Sequence, residues 1–232
     1  MTIAENIARI RAEMAQAAVR AGRDPAEILL CAASKMNDAA RVREAVAGGV
    51  DCCGENRVQE LTQKLAEHAY DGAPVHFIGH LQTNKVRQVV GKVALIQSVD
   101  RLELLRCIEK EAARQGIRQD ILLEINIGAE ESKSGFTPEE AIAVAAEMEN
   151  YPSCRLRGLM AIPPISEKPG DNCRYFEKIH TISVDITGKN NHNSSMDILS
   201  MGMSGDFADA IACGSTMIRV GTAIFGARNY TK

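Results

Sequence analysis

One lysine in the first part of the sequence is placed where an amine can act as a nucleophile. Lys35 follows the apolar run 29–33 and a single serine, so we expect it at the rim of an apolar core. Partial loss of hydration lowers the pKa of an amine, and more of the neutral form that condenses with an aldehyde is then present. A lysine whose stem packs on the core while its ammonium group reaches water is the alternative, and position alone favours it.

A second group of residues, in the last part of the sequence, has the composition of an anion site. Ser204 stands in a small-residue turn before an apolar run, which predicts a helix cap with backbone N–H groups nearby. Gly221 and Thr222 form another such turn, and Arg219 adds a cation beside it. Ordinary turn glycines would explain each feature alone. Together the features favour a phosphate site, which would face the lysine across one pocket.

Short apolar runs that alternate with helical stretches supply the elements that must position these groups. An amphipathic helix with apolar residues at 3, 7, 10, 14 and 17 comes first. Several later runs are apolar at nearly every position, which is typical of parallel strands covered on both faces. The predicted strands are 28–34, 50–54, 75–79, 95–99, 121–126, 156–162, 198–203 and 217–220. The predicted helices between them are 38–47, 56–67, 82–90, 101–115, 138–150 and 206–212, with a further helix near 175–179 and a polar loop at 188–195.

Eight strands alternating with helices predict either a closed barrel or an open doubly wound sheet. Repeated β/α units without a second domain favour the barrel, and no Gly-x-Gly-x-x-Gly follows the first strand to support a dinucleotide fold. We therefore expect a single (β/α)8 TIM-type barrel domain over residues 1–232 with an additional N-terminal helix. Functional side chains of such barrels lie at the carboxyl ends of the strands. The candidate site residues are Lys35, Asn56, His80, Met160, Ser204, Arg219, Gly221 and Thr222.

Composition and charge exclude several classes of function. The formal net charge is −3, without the basic excess that nucleic-acid binding usually requires. No apolar run approaches the roughly 20 residues that span a bilayer, and the N-terminus lacks the pattern of a signal peptide. We therefore expect a cytoplasmic protein that binds neither nucleic acid nor membranes.

The cysteines and histidines give no sign of a metal site. Seven cysteines without a C-x-x-C spacing predict buried thiols, and the adjacent Cys52 and Cys53 would point to opposite faces of a strand. His76 and His80 are four residues apart on a predicted strand and would share a face, but no third ligand is evident. We expect no metal.

Six segments carry a resemblance to a known family. They are 33–35 (ASK), 54–60 (GENRVQE), 76–85 (HFIGHLQTNK), 158–160 (GLM), 199–204 (LSMGMS) and 219–228 (RVGTAIFGAR). In this order they resemble the pyridoxal phosphate homeostasis protein family, which is related to the N-terminal barrel of alanine racemase. Each segment is moderately specific, and together they are highly specific.

The resemblance implies a fold type III barrel with pyridoxal 5'-phosphate bound as a covalent aldimine on Lys35. It implies that Asn56 and His80 line the mouth, and that Ser204, Arg219, Gly221 and Thr222 surround the phosphate or the ring edge. An arginine beside the pyridine nitrogen would keep that nitrogen unprotonated and weaken the cofactor as an electron sink. The sequence leaves open whether Arg219 faces the nitrogen or the phosphate.

Two segments depart from the family pattern. The polar stretch 185–195 differs from the shorter link expected before the seventh strand, and Met36 replaces the small polar residue often found after the lysine. Neither change removes a proposed cofactor contact.

Two functions from different classes fit this resemblance. The first is a monomeric carrier without catalytic turnover, which sequesters pyridoxal phosphate and contacts apo-enzymes transiently. The second is a pyridoxal phosphate-dependent amino-acid racemase, which needs a second proton carrier such as tyrosine opposite the lysine. We expect the carrier, because none of Tyr70, Tyr151, Tyr175 and Tyr230 falls at a predicted strand end and no length remains for a second domain. An interaction scaffold that uses the barrel surface is a third, more general alternative.

Overall fold

Eight parallel strands and eight α-helices make up the computed structural model, which describes residues 1–130, 134–166, 168–188 and 193–226. The strands are β1 (Leu29–Ala33), β2 (Cys52–Glu55), β3 (Val75–Phe77), β4 (Leu95–Val99), β5 (Gln119–Ile125), β6 (Cys154–Ala161), β7 (Ser194–Ser200) and β8 (Met217–Val220). The helices are α1 (Ile3–Arg20), α2 (Ala39–Ala47), α3 (Val58–Ala66), α4 (Leu102–Gln115), α5 (Pro138–Ala146), α6 (Cys173–Thr187), α7 (Phe207–Ala212) and α8 (Thr222–Phe225). Short 3₁₀ helices span Pro25–Glu27, Thr83–Gln88 and Met148–Asn150.

The strands close into a barrel in chain order, and β8 pairs with β1. This arrangement confirms the predicted TIM-type barrel and its additional N-terminal helix. Helix α1 starts with a capping box between Thr2 and Glu5, and its apolar face packs against α2, α7 and α8. Among the helices of the described residues, none is both long and apolar enough to cross a membrane.

Some predicted boundaries were wrong, and each has a physical reason. Strand β7 begins at Ser194, inside the predicted loop, because its polar outer face is stabilised by an ion pair of 2.6 Å between Arg157 and Asp197. Strand β2 extends to Glu55, which the apolar pattern excluded. The predicted α-helix at 82–90 is the 3₁₀ helix Thr83–Gln88. The helix near 175–179 is confirmed as α6, whereas 189–192 of the expected polar loop lie outside the described residues.

Alternation along the strands divides the cysteines as the sequence predicted. Cys53 belongs to the large core between the barrel and its helices. Cys52 faces the opposite side and packs with Cys31 and Met217 in a separate cluster. The interior of the barrel is therefore lined by its own set of side chains, distinct from the outer core.

Gly158 allows β6 and β7 to approach each other closely. Its φ is +151°, and a Cβ there would lie 1.8 Å from the carbonyl oxygen of Ile198. The register between these strands also shifts beside it. A side chain at this position would force the two strands apart.

We expect Gly158→Ala to lower the free energy of unfolding by about 3 kcal/mol or more, because backbone strain and overpacking add. Gly188→Ala is the matched control, since its Cβ would meet nothing closer than 3.6 Å. Urea unfolding of both variants measures the difference. Equal stabilities for the two variants would contradict the close approach at Gly158.

Candidate functional site

The turn after β1 holds Lys35 between two fixed neighbours. Ser34 is fully buried, and its backbone N–H donates to the carbonyl oxygen of Gly54 at 2.9 Å. On the other side, the N–H of Met36 donates to Glu60 Oε2 at 2.7 Å. Met36 has a φ of +61°, which a residue with a side chain adopts only when its surroundings require it. The turn is therefore fixed by contacts from β2 and α3.

A buried ion pair organises those contacts. Lys64 Nζ donates to Glu55 Oε2 at 2.7 Å, to the carbonyl oxygen of Ser34 at 2.9 Å and to Glu60 Oε2 at 3.2 Å. Glu55 Oε2 also accepts hydrogen bonds from Ser34 Oγ at 3.0 Å and from the Tyr70 hydroxyl at 3.1 Å. Burial, together with the negative charge of Glu55, raises the pKa of Tyr70, so its hydroxyl keeps the proton that it donates. The network thereby holds the residues on both sides of Lys35.

Lys35, Gly221 and Thr222 come together on one cavity of about 220 Å³. Arg41 lines the same cavity, and its position is fixed because it donates to Asn37 Oδ1 at 3.1 Å and to the carbonyl oxygen of Phe225. The complete lining is Ala33, Lys35, Met36, Asn37, Asp38, Arg41, Gly221, Thr222, Phe225 and Gly226. Helix α8 starts at Thr222, and the first backbone N–H groups of a helix have no acceptor within it. One cavity thus combines an amine, a guanidinium group and free backbone donors.

Asn56 and His80 line a second cavity at the carboxyl ends of the strands, with a volume of about 310 Å³. His80 Nδ1 lies 2.9 Å from Asp100 Oδ2, and Asp100 is also paired with Arg101. Asn56 Oδ1 is buried and has no hydrogen-bond partner among the described residues. Glu124 lines the same cavity. A ligand that donates a hydrogen bond would satisfy the Asn56 oxygen.

Arg219 lies inside the barrel. Its Nη1 donates to the carbonyl oxygen and the hydroxyl of Ser200, both at 2.6 Å, and its Nη2 donates to the carbonyl oxygen of Ala161 at 3.0 Å. Burial lowers the pKa of the Arg219 guanidinium. Burial also raises the pKa of Glu124 to about 7, assisted by the charge of Asp100 and opposed by that of Arg219. Burial therefore shifts the pKa values of Arg219 and Glu124 in opposite directions.

Three predicted site residues line neither cavity: Arg219, Ser204 and Met160. Ser204 is exposed and does not cap α7, whose N-cap is Asp206. The Asp206 carboxylate instead accepts the N–H of Met203 at 2.7 Å and closes that turn. Met160 is buried and packs with other apolar side chains of the barrel interior. The expectation of a helix cap at Ser204 was wrong, because Asp206 occupies the N-cap position of α7.

The two histidines, and the two segments that depart from the family pattern, lie at the following places in the structure. Strand β3 ends at Phe77, so His80 lies beyond it, whereas His76 Nδ1 contacts Gln97 Nε2 at 3.0 Å inside the barrel. Met36 lines the first cavity. In the stretch 185–195, the first three residues end α6, and the last two begin β7.

Sequence reasoning missed the residues that support the site. Glu55 follows Gly54 in a segment already noted. Its partner Lys64 lies nine residues further on, in α3, and the sequence does not show that the two residues pair. Arg41 stands six residues after Lys35 on α2, where it resembles any exposed helical arginine. Asp100 could have been predicted as a site residue, because it directly follows β4 and functional side chains of such barrels lie at the carboxyl ends of the strands.

Comparisons of the sequence with known proteins agree on one family. A family model described as alanine racemase, N-terminal domain, matches residues 2–229. The chain is 42% identical over 230 residues to a pyridoxal phosphate homeostasis protein of Pseudomonas aeruginosa, covering 99% of this chain and 97% of that protein. It is also 42% identical over 234 residues to the protein of the same name from Escherichia coli strain K12, covering 99% and 98%.

Solved structures agree with the fold. PipY of Synechococcus elongatus with pyridoxal phosphate bound superposes with a TM-score of 0.83 at 32% identity, covering 97% of this chain and 100% of that one. An alanine racemase of Clostridium difficile 630 superposes with a TM-score of 0.69 at 15% identity, covering 98% of this chain and 58% of that one. The racemase shares the fold of this barrel.

We expect Lys64→Met to lower the free energy of unfolding by about 3–5 kcal/mol, because Glu55 would remain buried without its counter-charge. Adding Glu55→Gln should recover part of that loss, since the amide oxygen still accepts a hydrogen bond. Lys178→Met, at an exposed helical lysine, is the matched control and should change little. Chemical unfolding measures all three, and a double variant no more stable than Lys64→Met would contradict the pair.

The raised pKa of Glu124 predicts a pH-dependent stability. The folded state favours the protonated acid, so its contribution is complete below the ordinary value of 4.5 and is lost as pH rises through about 7. The free energy of unfolding of the wild type relative to Glu124→Gln should fall by at most about 3 kcal/mol over this window. Unfolding in the absence of ligand, from about pH 5 to about pH 8, measures it. A difference that stays constant with pH would show that Glu124 titrates normally.

Proposed function

The chain belongs to the pyridoxal phosphate homeostasis proteins of the alanine racemase N-terminal domain family, and on this basis we propose that it binds pyridoxal 5'-phosphate and holds it for delivery to other proteins. The observation that carries the proposal is the first cavity, where the Lys35 amine and the Gly221–Thr222 turn face one space. Related proteins are named pyridoxal phosphate homeostasis proteins, and the structure of PipY has the cofactor bound.

The groups around the cavity match the groups of this cofactor. Pyridoxal phosphate supplies an aldehyde, which an amine attacks reversibly, together with a phosphate and a pyridine ring. Lys35 would hold the aldehyde carbon through a covalent Schiff-base link, because its turn fixes where the amine emerges. The N–H groups at the start of α8 and the Arg41 guanidinium would bind the phosphate.

Inside the barrel, Arg219 would face the ring nitrogen instead of the phosphate. Its hydrogen bonds to Ser200 and Ala161 tie it to β6 and β7. The phosphate donors Gly221 and Thr222 lie beyond the end of β8, further towards the mouth. A guanidinium group beside the nitrogen would disfavour protonation of the ring and limit its use as an electron sink. Asn56 and His80 would border the other side of the mouth.

The same cavity argues for a carrier over a racemase. Racemisation uses a second proton carrier opposite the lysine. Of the tyrosines in the described residues, none lines either cavity: Tyr70 bonds to Glu55, Tyr151 is buried, and Tyr175 receives a hydrogen bond from Arg174. Tyr230 lies outside the described residues. We infer a protein without substantial turnover.

The remaining features of the proposal follow from this role. We infer a cytoplasmic, monomeric protein with one domain over residues 1–232, which contacts apo-enzymes transiently. Free aldehyde reacts with amines generally, so reversible storage on one lysine protects the cofactor and its surroundings.

Borohydride reduction of the cofactor-loaded protein tests the covalent link. We expect a visible absorbance band that reduction removes, leaving a stable adduct that mass spectrometry maps to Lys35. Lys35→Ala should lose both band and adduct, whereas Lys92→Ala, at an exposed lysine, should keep them. Equal adducts in wild type and Lys35→Ala would contradict the assignment.

Activity measurements separate carrier from racemase. With the loaded protein, we expect no turnover of several L-amino acids above the rate of free cofactor, and transfer of cofactor to an apo-enzyme faster than passive release. Chiral chromatography and recovery of apo-enzyme activity measure the two. Substantial racemisation that Lys35→Ala abolishes would establish the racemase instead.

A further inference from the structure

Three metal-ligating side chains from consecutive strands converge inside the barrel. Cys31 in β1 and Cys52 in β2 are direct partners in the strand register, and His76 in β3 pairs with Gly54, two residues after Cys52. The two sulfurs and one ring nitrogen of His76 all lie within 4.8 Å of one another. Within the described ranges, this is the one group of three or more such ligands at this separation.

A fourth sulfur and an orienting amide adjoin the group. Met217 packs with Cys31 and Cys52 in one interior cluster. Gln97 Nε2 lies 3.2 Å from Met217 Sδ and 3.0 Å from His76 Nδ1, so the amide fixes the histidine ring and touches the thioether. Thiolate, thioether and imidazole are the ligands that thiophilic cations prefer.

Burial shields these ligands from water. Cys31, Cys52 and His76 are 0%, 2% and 7% exposed. Coordination of a cation by the two thiols would release their protons.

The charge of Arg219 favours thiolates at this place. Arg219 is the register partner of Cys31 across β1 and β8. All three of its hydrogen bonds within the described part of the chain go to uncharged oxygens of Ser200 and Ala161. Two thiolates around Zn²⁺ would give a neutral centre, and around Cu⁺ a centre of charge −1 that offsets the buried guanidinium.

We propose that Cys31, Cys52 and His76 form a buried site for a thiophilic d¹⁰ cation, Zn²⁺ or Cu⁺, with Met217 as the adjoining fourth ligand. Typical metal–sulfur and metal–nitrogen distances of about 2.3 and 2.0 Å place ligand atoms closer together than here, so small side-chain rotations complete the site.

This site differs from the Lys35 cavity and does not rest on the proposed function. Cys52 and Met217 are the first residues of β2 and β8, and Cys31 and His76 lie in the middle of β1 and β3, so the site lies within the barrel. Lys35 lies past the other end of β1. Sequence spacing alone does not bring these ligands together, because they come from three separate strands.

Metal retention by the reduced protein tests the site. Wild type, Cys52→Ser and His76→Gln are incubated with Zn²⁺ or Cu⁺ under anaerobic reducing conditions, desalted and analysed for metal content. Cys53→Ser is the matched control, because that neighbouring cysteine is equally buried but faces the outer core. Circular dichroism checks the fold of each variant, and His76→Gln serves if Cys52→Ser does not fold.

We expect one Zn²⁺ or one Cu⁺ per chain in wild type and Cys53→Ser. Competition with a chelator should show binding weakened by about 100-fold or more in Cys52→Ser and His76→Gln, since loss even of an outer partner costs 10–100-fold. Retention of neither cation, or equal retention by all variants, would overturn the site.

Discussion

The buried ion pair between Glu55 and Lys64 is the interaction on which the candidate site depends. It joins the end of β2 to α3 and, through Ser34 and Glu60, fixes both neighbours of Lys35. A buried pair is costly to break because the remaining charge has no solvent to stabilise it. The turn therefore has one stable arrangement, and the lysine amine emerges at a defined place on the rim. That constancy would favour the proposed covalent link, since formation of the link would then cost little ordering of the chain.

Around this fixed turn, the barrel has two cavities with different linings. The first cavity offers an amine, a guanidinium group and backbone donors, which suit a phosphorylated aldehyde. The second cavity contains Glu124 and His80, and burial raises the pKa of Glu124 to about 7. Arg219 is held to β6 and β7 and is the register partner of Cys31. In the proposed role, its charge beside the ring nitrogen would weaken the cofactor as an electron sink and so favour storage over turnover.

The strand pattern predicted the barrel, and the carboxyl ends of the strands predicted where Lys35, Gly221 and Thr222 would meet. Side-chain partners across the fold were beyond such reasoning. Glu55 interrupts the apolar pattern of β2. Its buried charge is tolerated because Lys64 of α3 pairs with it, and the sequence does not show that pairing. The polar start of β7 was missed because its stability comes from a neighbouring arginine. Ser204 looked like a cap in sequence, yet Asp206 closes the turn.

A crystal structure of the protein loaded with pyridoxal phosphate would test the central claim most directly. The account predicts continuous electron density from Lys35 Nζ to the cofactor, the phosphate at Gly221 and Thr222, and the Glu55–Lys64 pair unchanged from the ligand-free arrangement. A cofactor linked to another lysine, or a phosphate in the cavity of Asn56 and His80, would contradict it.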